Sequence, residues 1–296
     1  MRDIVFVNGQ YVDREQAMVP VEDRGYQFAD GVYEVVRFHG RRGLRLDPHL
    51  QRLQESSDAL RIHGGPSIEE WHAILDRLMA ECQIPDDENH VMSLYIQLSR
   101  GDNPRNHVFP KVEVKPTLVA YFRMAPKYTP EQRANGIALS SQKDERWERC
   151  FIKSVCLLPV VMAKQAAVEA GAFEALLVRN GIVTEGGATN AYCVRGGIVY
   201  THPIGPHILN GITRALVLEA AEKAGIVIKE EPVSLEDFRA ADEAFISSTT
   251  MDVMPATKLD GQPIGNGTVG PVTQLLVKTI TEMVWHEIRT EAAAAR

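Results

Sequence analysis

Lys153 sits in the run Cys150-Phe151-Ile152-Lys153, and Ser154-Val155-Cys156-Leu157-Leu158 follows. On this local pattern alone it reads as a strand lysine whose ammonium snorkels to water. The chemical alternative needs the amine. A free lysine titrates near 10.4, so only about one in a few thousand is neutral at pH 7. Burial disfavours the ammonium and makes the amine available for a Schiff base. Three further places offer to hold an anion. Asn210-Gly211-Ile212-Thr213 opens a predicted helix, where free N–H groups and the helix dipole attract negative charge. Gly211 lets a ligand approach the backbone closely. Ser248-Thr249-Thr250 puts consecutive hydroxyls on a loop after a strand, and Arg52 supplies positive charge. Their bland counterparts are a helix N-cap, a turn and a surface arginine. Arg105 and His107 are separated by one residue, so in an extended segment both point the same way. An arginine fork binds a carboxylate bidentately and a histidine adds a further bond. A polar surface loop is the commoner fate of such a string.

The elements that must carry these residues are legible in outline. Ile4–Val7, Asn8-Gly9 and Gln10–Val12 predict a hairpin with a type I′ turn. Leu176–Arg179, Asn180-Gly181 and Ile182–Thr184 predict a second, and Gly196-Gly197 turns a third. Val32–Phe38, His90–Ser99 and Thr117–Phe122 read as strands. Asp47-Pro48 reads as an N-cap with proline at the first helical position. Ser67 with Glu70 forms a capping box ahead of the stripe Ile68, Trp71, Leu75, Leu78 and Cys82. A helix is predicted from about Thr213 to Lys223, with Gly225 as its stop. Ser234 with Asp237 starts a short helix, and the last helix begins near Pro271. The terminal EAAAAR reads as a frayed helix end. The two prolines of Ala125–Pro130 mark an interdomain linker. The organisation expected is a smaller N-terminal domain over 1–124, a linker over 125–130, and a larger C-terminal domain over 131–296 carrying Lys153.

Six segments stand out in order: EDRGYQFADGVYEVVR (22–37), SRGDNPRNHVFP (99–110), ERWERCFIKS (145–154), FEALLVRNGIVTEGGATNAY (173–192), YTHPIGPHILNGITR (200–214) and FISSTTMDVMPATKLDG (245–261). Their order and spacing resemble the class IV aminotransferases, enzymes that depend on pyridoxal 5′-phosphate (PLP), over nearly the whole chain. The tyrosine segment and the PRNH string point within that family to the D-amino-acid transaminases. The resemblance implies the fold type IV architecture, an α+β or α/β two-domain chain with PLP in the cleft between the domains. It implies that Lys153 binds PLP covalently and moves the substrate's Cα proton. Glu185, otherwise a solvated loop carboxylate, becomes the partner of the ring nitrogen. Arg52, the Ile212 N–H, Thr213 and Thr249, with Gly211 and Ser248 beside them, hold the phosphate. Leu209 lies against one ring face. Tyr33, Arg105 and His107 trap the substrate carboxylate, the last two reaching into the neighbouring subunit's site, so a homodimer is implied. One departure stands out. The family's serine run after Glu-Gly is here Gly187-Ala188-Thr189, in which only Thr189 keeps a hydroxyl.

The implied reaction is a ping-pong transfer between a D-amino acid, such as D-alanine or D-glutamate, and 2-oxoglutarate or pyruvate. A branched-chain L-amino-acid transaminase, an aminodeoxychorismate-lyase type and a PLP-binding scaffold are the alternatives. Composition fits a soluble protein and excludes little else. The 296 residues carry a formal net charge of −7, which gives no electrostatic reason to bind nucleic acid or an anionic membrane. Four cysteines without C-x-x-C spacing argue for reduced structural thiols. Met1-Arg2-Asp3-Ile4 lacks the apolar run of a signal peptide, no stretch is long enough to span a membrane, and a cytoplasmic location is expected. The histidines predict no metal site.

Overall fold

A computed structural model describes residues 1–294, side chains beyond 290 excepted; of the terminal EAAAAR expected to fray, the backbone of 291–294 continues the last helix and the rest lies outside the described residues. By its packing the chain divides into two compact units. One comprises Met1–Ala125, Ile152–Cys156 and the chain from Ile288; the other comprises Pro126–Phe151 and Leu157–Glu287.

The first unit is built on a six-stranded antiparallel sheet. Its strands are β1 (Ile4–Val7), β2 (Gln10–Asp13), β3 (Gly31–His39), β4 (Arg42–Gly43), β5 (Val91–Ser99) and β6 (Thr117–Met124), in the order β2-β1-β6-β5-β3-β4. Helices α1 (Arg24–Phe28), α2 (Leu46–Ala59) and α3 (Ile68–Glu81) complete it. One sheet face is buried: Val32, Val36, Leu94, Ile96, Ala120 and Phe122 meet Leu50, Leu53, Trp71, Leu75 and Leu78 of α2 and α3. Ser67 and Glu70 form the anticipated capping box on α3. The start of α2 differs from expectation. Its N-cap is Arg45 in the left-handed region, and Asp47 lies inside the first turn, where its charge suits the helix dipole.

The residues around Lys153 were expected to belong with the second half of the chain. They pack with the first unit because their backbone pairs with β3. The Tyr33 N–H donates to the Lys153 carbonyl at 3.0 Å and the Val155 N–H to the Gly31 carbonyl at 3.0 Å, flanking a Val32–Ser154 bridge. Ile152 is 3% exposed and joins the first unit's core.

The second unit contains α4 (Pro130–Asn135), β7 (Ile137–Lys143), α5 (Leu158–Glu169), β8 (Glu174–Arg179), β9 (Ile182–Gly186), β10 (Asn190–Arg195), β11 (Ile198–Thr201), α6 (Ile212–Ala224), β12 (Ile228–Glu230), β13 (Val233–Ser234), α7 (Leu235–Arg239), β14 (Glu243–Ser248), β15 (Asp252–Leu259) and β16 (Gln262–Pro263). Helix α8 (Pro271–Ala294) follows. The mixed sheet runs β12-β11-β10-β14-β15-β7-β8-β9-β13, with β16 paired to β15. Leu139, Leu176, Cys193, Phe238, Ile246 and Met254 are among the buried residues of its core.

All three predicted hairpins form. Asn8 and Gly9, Asn180 and Gly181, and Gly196 and Gly197 each have positive φ, as a type I′ turn requires at both central positions. Gly225 caps α6 in the left-handed region. Between β8 and β9 the register slips. Leu176 faces Gly186 and Val178 faces Val183, so β9 takes three residue steps where β8 takes two. The extra residue falls in Thr184–Glu185, and a bulge of this kind re-aims a side chain. Among the described residues, no helix is long and apolar enough to cross a membrane.

Candidate active site

Within the first unit, β3 and α2 assemble a charged cluster beneath Lys153. Glu34 on β3 is fully buried, and its Oε1 and Oε2 accept from Arg52 Nε at 2.7 Å and Nη2 at 2.9 Å. The same Oε2 meets His49 Nδ1 at 2.7 Å. His49 and Arg52 are three residues apart on α2, so both face the strand. Burial alone would push the Glu34 carboxyl up; the charge of Arg52 and the hydrogen bonds from Arg52 and His49 win and hold it far below the ordinary range. Burial pushes His49 down and outweighs Glu34, so the imidazole resists protonation. Lys153 is half-buried. Its N–H donates to Ser56 Oγ at 3.1 Å, and its Nζ stands 4.4 Å from the centre of the Tyr33 ring. Tyr33 in turn stacks on Tyr95, with centroids 5.9 Å apart.

The loop carrying Arg105 and His107 is not a strand, so their alignment has another cause. Both pack on Phe28 of α1: the Arg105 guanidinium lies 5.1 Å from that ring and the His107 ring 5.3 Å. Arg24, 3% exposed, stacks on Phe28 as well at 4.8 Å and donates through Nη1 to the Asn106 carbonyl at 2.5 Å. The Arg105 N–H reaches Glu22 Oε1 at 3.3 Å. Both side chains are exposed. The structure thus groups Arg105 with His107, and Tyr33 with Lys153. No hydrogen bond, ion pair or ring contact joins the two groups among the described residues.

In the second unit, Glu185 lies on the bulged edge of β9 and is 5% exposed. Arg146 Nη1 donates to its Oε1, while Asn190 Nδ2 and the Leu209 N–H donate to its Oε2, each at 3.1 Å. Burial pushes the Glu185 carboxyl upward and Arg146 pulls against it. Leu209 closes the arrangement, since its carbonyl accepts from Asn190 Nδ2 at 3.0 Å. Ile212 and Thr213 occupy the first turn of α6 behind Gly211, whose side has no room for a Cβ: one there would lie 2.2 Å from Asn190 Oδ1. Gly211, the N-cap of α6, has no side chain to take up the helix's first N–H groups, and such a terminus suits an anion. Ser248 ends β14 and Thr249 begins the turn to β15. Thr189 and Ser248 flank the paired residues Asn190 and Ser247. Thr189 Oγ1 and Ser248 Oγ are both buried without a hydrogen-bond partner among the described residues. Buried hydroxyls are normally satisfied, so two orphans mark a place shaped for a polar group.

Four supporting side chains carried no assignment in the sequence: Glu34, His49, Arg146 and Asn190. Glu34, Arg146 and Asn190 lie inside segments singled out for other residues, and an acid in an apolar strand is the one local signal that marked Glu34.

The class IV amino-transferase pattern matches residues 31–259, a span that runs from β3 to the end of β15. The chain belongs to the amino-transferase class IV family. It is an enzyme of the aminotransferase type with the mixed α/β fold of that family. It is 41% identical to a D-alanine aminotransferase of Bacillus licheniformis over 98% of both chains. To a D-alanine aminotransferase of Staphylococcus haemolyticus it is 39% identical, over 92% of this chain and 94% of that one. Among solved structures of the family, a branched-chain amino acid aminotransferase of T.th. with pyridoxamine 5′-phosphate superposes with a TM-score of 0.86 at 25% identity, covering 96% of this chain and 94% of that one. The Escherichia coli branched-chain enzyme superposes with a TM-score of 0.82 at 24% identity over 94% and 92%, a likeness of fold.

Proposed function

We propose that this chain is a PLP-dependent transaminase that moves an amino group between a D-amino acid and a 2-oxo acid. The observation that carries the cofactor half of this reading is Glu185, a buried carboxylate pinned by Arg146, Asn190 and Leu209. A protonated ring nitrogen needs such a partner. The substrate half follows the curated relatives, named D-alanine aminotransferases at about 40% identity, over the branched-chain enzymes at 25% or less. The orphan hydroxyls of Thr189 and Ser248 fit a bound group that brings polar atoms.

Bound PLP supplies a sink for the electron pair left when the substrate's Cα–H bond breaks. Lys153 would attach the cofactor through its amine and carry the Cα proton, and Arg52 would be a cation for the phosphate. Glu185 would serve the ring nitrogen, Leu209 would lie against the ring, and Gly211, Ile212, Thr213, Ser248 and Thr249 would hold the phosphate. Tyr33, Arg105 and His107 hold the substrate carboxylate. Arg105 and His107 are exposed and not joined to Tyr33 within one chain, which favours a homodimer whose loop serves the other copy's site. A cytoplasmic location goes with this reading.

The test is a substrate panel with trapping. D-alanine and D-glutamate are expected to transaminate against 2-oxoglutarate or pyruvate, and borohydride reduction to label Lys153. Activity on L-leucine or L-glutamate with none on the D-amino acids would remove the D assignment. A label elsewhere would remove Lys153.

A further inference from the structure

We propose that Asp144 is a positioning residue that sets the basicity of Glu185 by holding Arg146 from behind. The inference rests on Glu185 being the ring-nitrogen partner.

Asp144 follows β7, and its carboxylate is fully buried. It takes Arg146 bidentately, Oδ1 from Nε and Oδ2 from Nη2, both at 2.9 Å. The Arg146 N–H also donates to Oδ1 at 3.1 Å, and Thr184 Oγ1 to Oδ2 at 3.0 Å. Arg146 Nη2 reaches the His207 carbonyl at 3.0 Å. Nη1 is therefore the part of the fork that meets Glu185. Arg179 stands at the outer side of Asp144, with Nη2 3.3 Å from Oδ1 and Nη1 on Glu148. Glu185, Arg146, Asp144 and Arg179 thus form a row of alternating charge inside one unit.

Alternation has a consequence at the end of the row. An arginine facing Glu185 alone would satisfy its charge and make it a poor acceptor for a ring N–H. Asp144 shares that arginine, so Glu185 keeps negative potential for the ring N–H beside its protein donors. Burial and then Arg146 act on Glu185 most strongly, and the Asp144 charge raises its proton affinity further. Burial would lift Asp144 itself, but hydrogen bonds and charge from Arg146 and Arg179 hold it at about 2, so it is ionised throughout the working range.

The experiment compares the affinity of the full-length protein for PLP with that for the PLP analogue in which CH replaces the ring nitrogen. The wild type is expected to prefer PLP. Asp144→Asn should reduce that preference on the order of tenfold, the scale of a charge-assisted hydrogen bond, and leave affinity for the analogue unchanged. Asp144→Glu should restore part of it. A merely structural role would weaken both ligands together, and that result, like no change in either, overturns the proposal. Arg179→Gln has the opposite sign: with Asp144 less compensated, the preference should hold or rise. Should Asp144→Asn fail to fold by circular dichroism, a fall in Arg179→Gln overturns the proposal and a rise supports it. Glu185→Gln separates the two layers. If it leaves the preference untouched, Glu185 is not the ring partner. If it lowers the preference and Asp144→Asn does not, the Asp144 assignment alone is lost.

Discussion

Glu34 on β3 holds Arg52 on α2 by both carboxylate oxygens, at 2.7 and 2.9 Å, from a position with no solvent exposure. Removing one partner of such a pair leaves the other's buried charge less compensated, which costs about 3–5 kcal/mol. Glu34→Ala is therefore expected to lower unfolding stability by that order. Urea denaturation at constant slope measures it, and a loss below about 1 kcal/mol would show Arg52 finding compensation elsewhere.

The same cluster fixes the acid response. The folded Glu34 carboxyl lies well below its ordinary 4.5, and Asp144 drops from 3.8 to about 2. Both depressions give stability that is complete above the unfolded values and is lost as pH falls through the folded ones. His49 adds to the same slope, since its folded value lies below 6.5 and the unfolded chain takes up its proton first. Melting temperature should thus begin to decline below pH 6.5 and fall steeply below about pH 4. Glu34→Gln should flatten the steep part; an unchanged profile would place the acid sensitivity in other groups.

Phe28 is the common seat of Arg105, His107 and Arg24. Phe28→Ala should release the loop and raise KM for amino-acid substrates about tenfold, with the effect on a carboxylate-free amine much smaller, because only the former needs the arginine fork. Steady-state kinetics on the two substrates decides it. Equal losses would mean that Phe28 supports the site in general.

Gly211 faces Asn190 Oδ1 at 2.2 Å from where a Cβ would sit, and Asn190 also braces Glu185. Gly211→Ala should cost about 1–3 kcal/mol through overpacking and weaken PLP retention by displacing that brace. Thermal unfolding and cofactor release on dialysis report the two effects; a neutral variant would show that the start of α6 shifts freely.

Thr189 Oγ1 and Ser248 Oγ already bear the cost of desolvation without a partner. Thr189→Val and Ser248→Ala should leave the cofactor-free protein within about 0.5 kcal/mol of the wild type, or stabilise it. If these hydroxyls serve PLP, both variants should bind it about tenfold more weakly. Unchanged PLP affinity in both would assign the hydroxyls to something else.

What the sequence settled by itself was local. Asn-Gly and Gly-Gly turns place their own hairpins because only such residues tolerate two successive positive φ values. Ser67 caps α3 because its partner Glu70 lies at a fixed offset of three residues. The ordered resemblance of six segments, and not residue type, nominated Lys153, Glu185 and Arg105, whose local patterns alone read as a strand lysine, a loop carboxylate and a polar surface loop.

Tertiary structure decided everything that depends on residues meeting across the chain. Glu34 and Arg52 are 18 positions apart, Arg146 and Glu185 39, and Lys153 and Ser56 97. Sheet order and the β9 bulge create those meetings, and periodicity carries no trace of either. Lys153 joined the first unit for the same reason, because backbone pairing with β3 is a long-range bond. A side chain's chemistry can be read from its type. Its ionisation and aim come from the neighbours that folding brings to it.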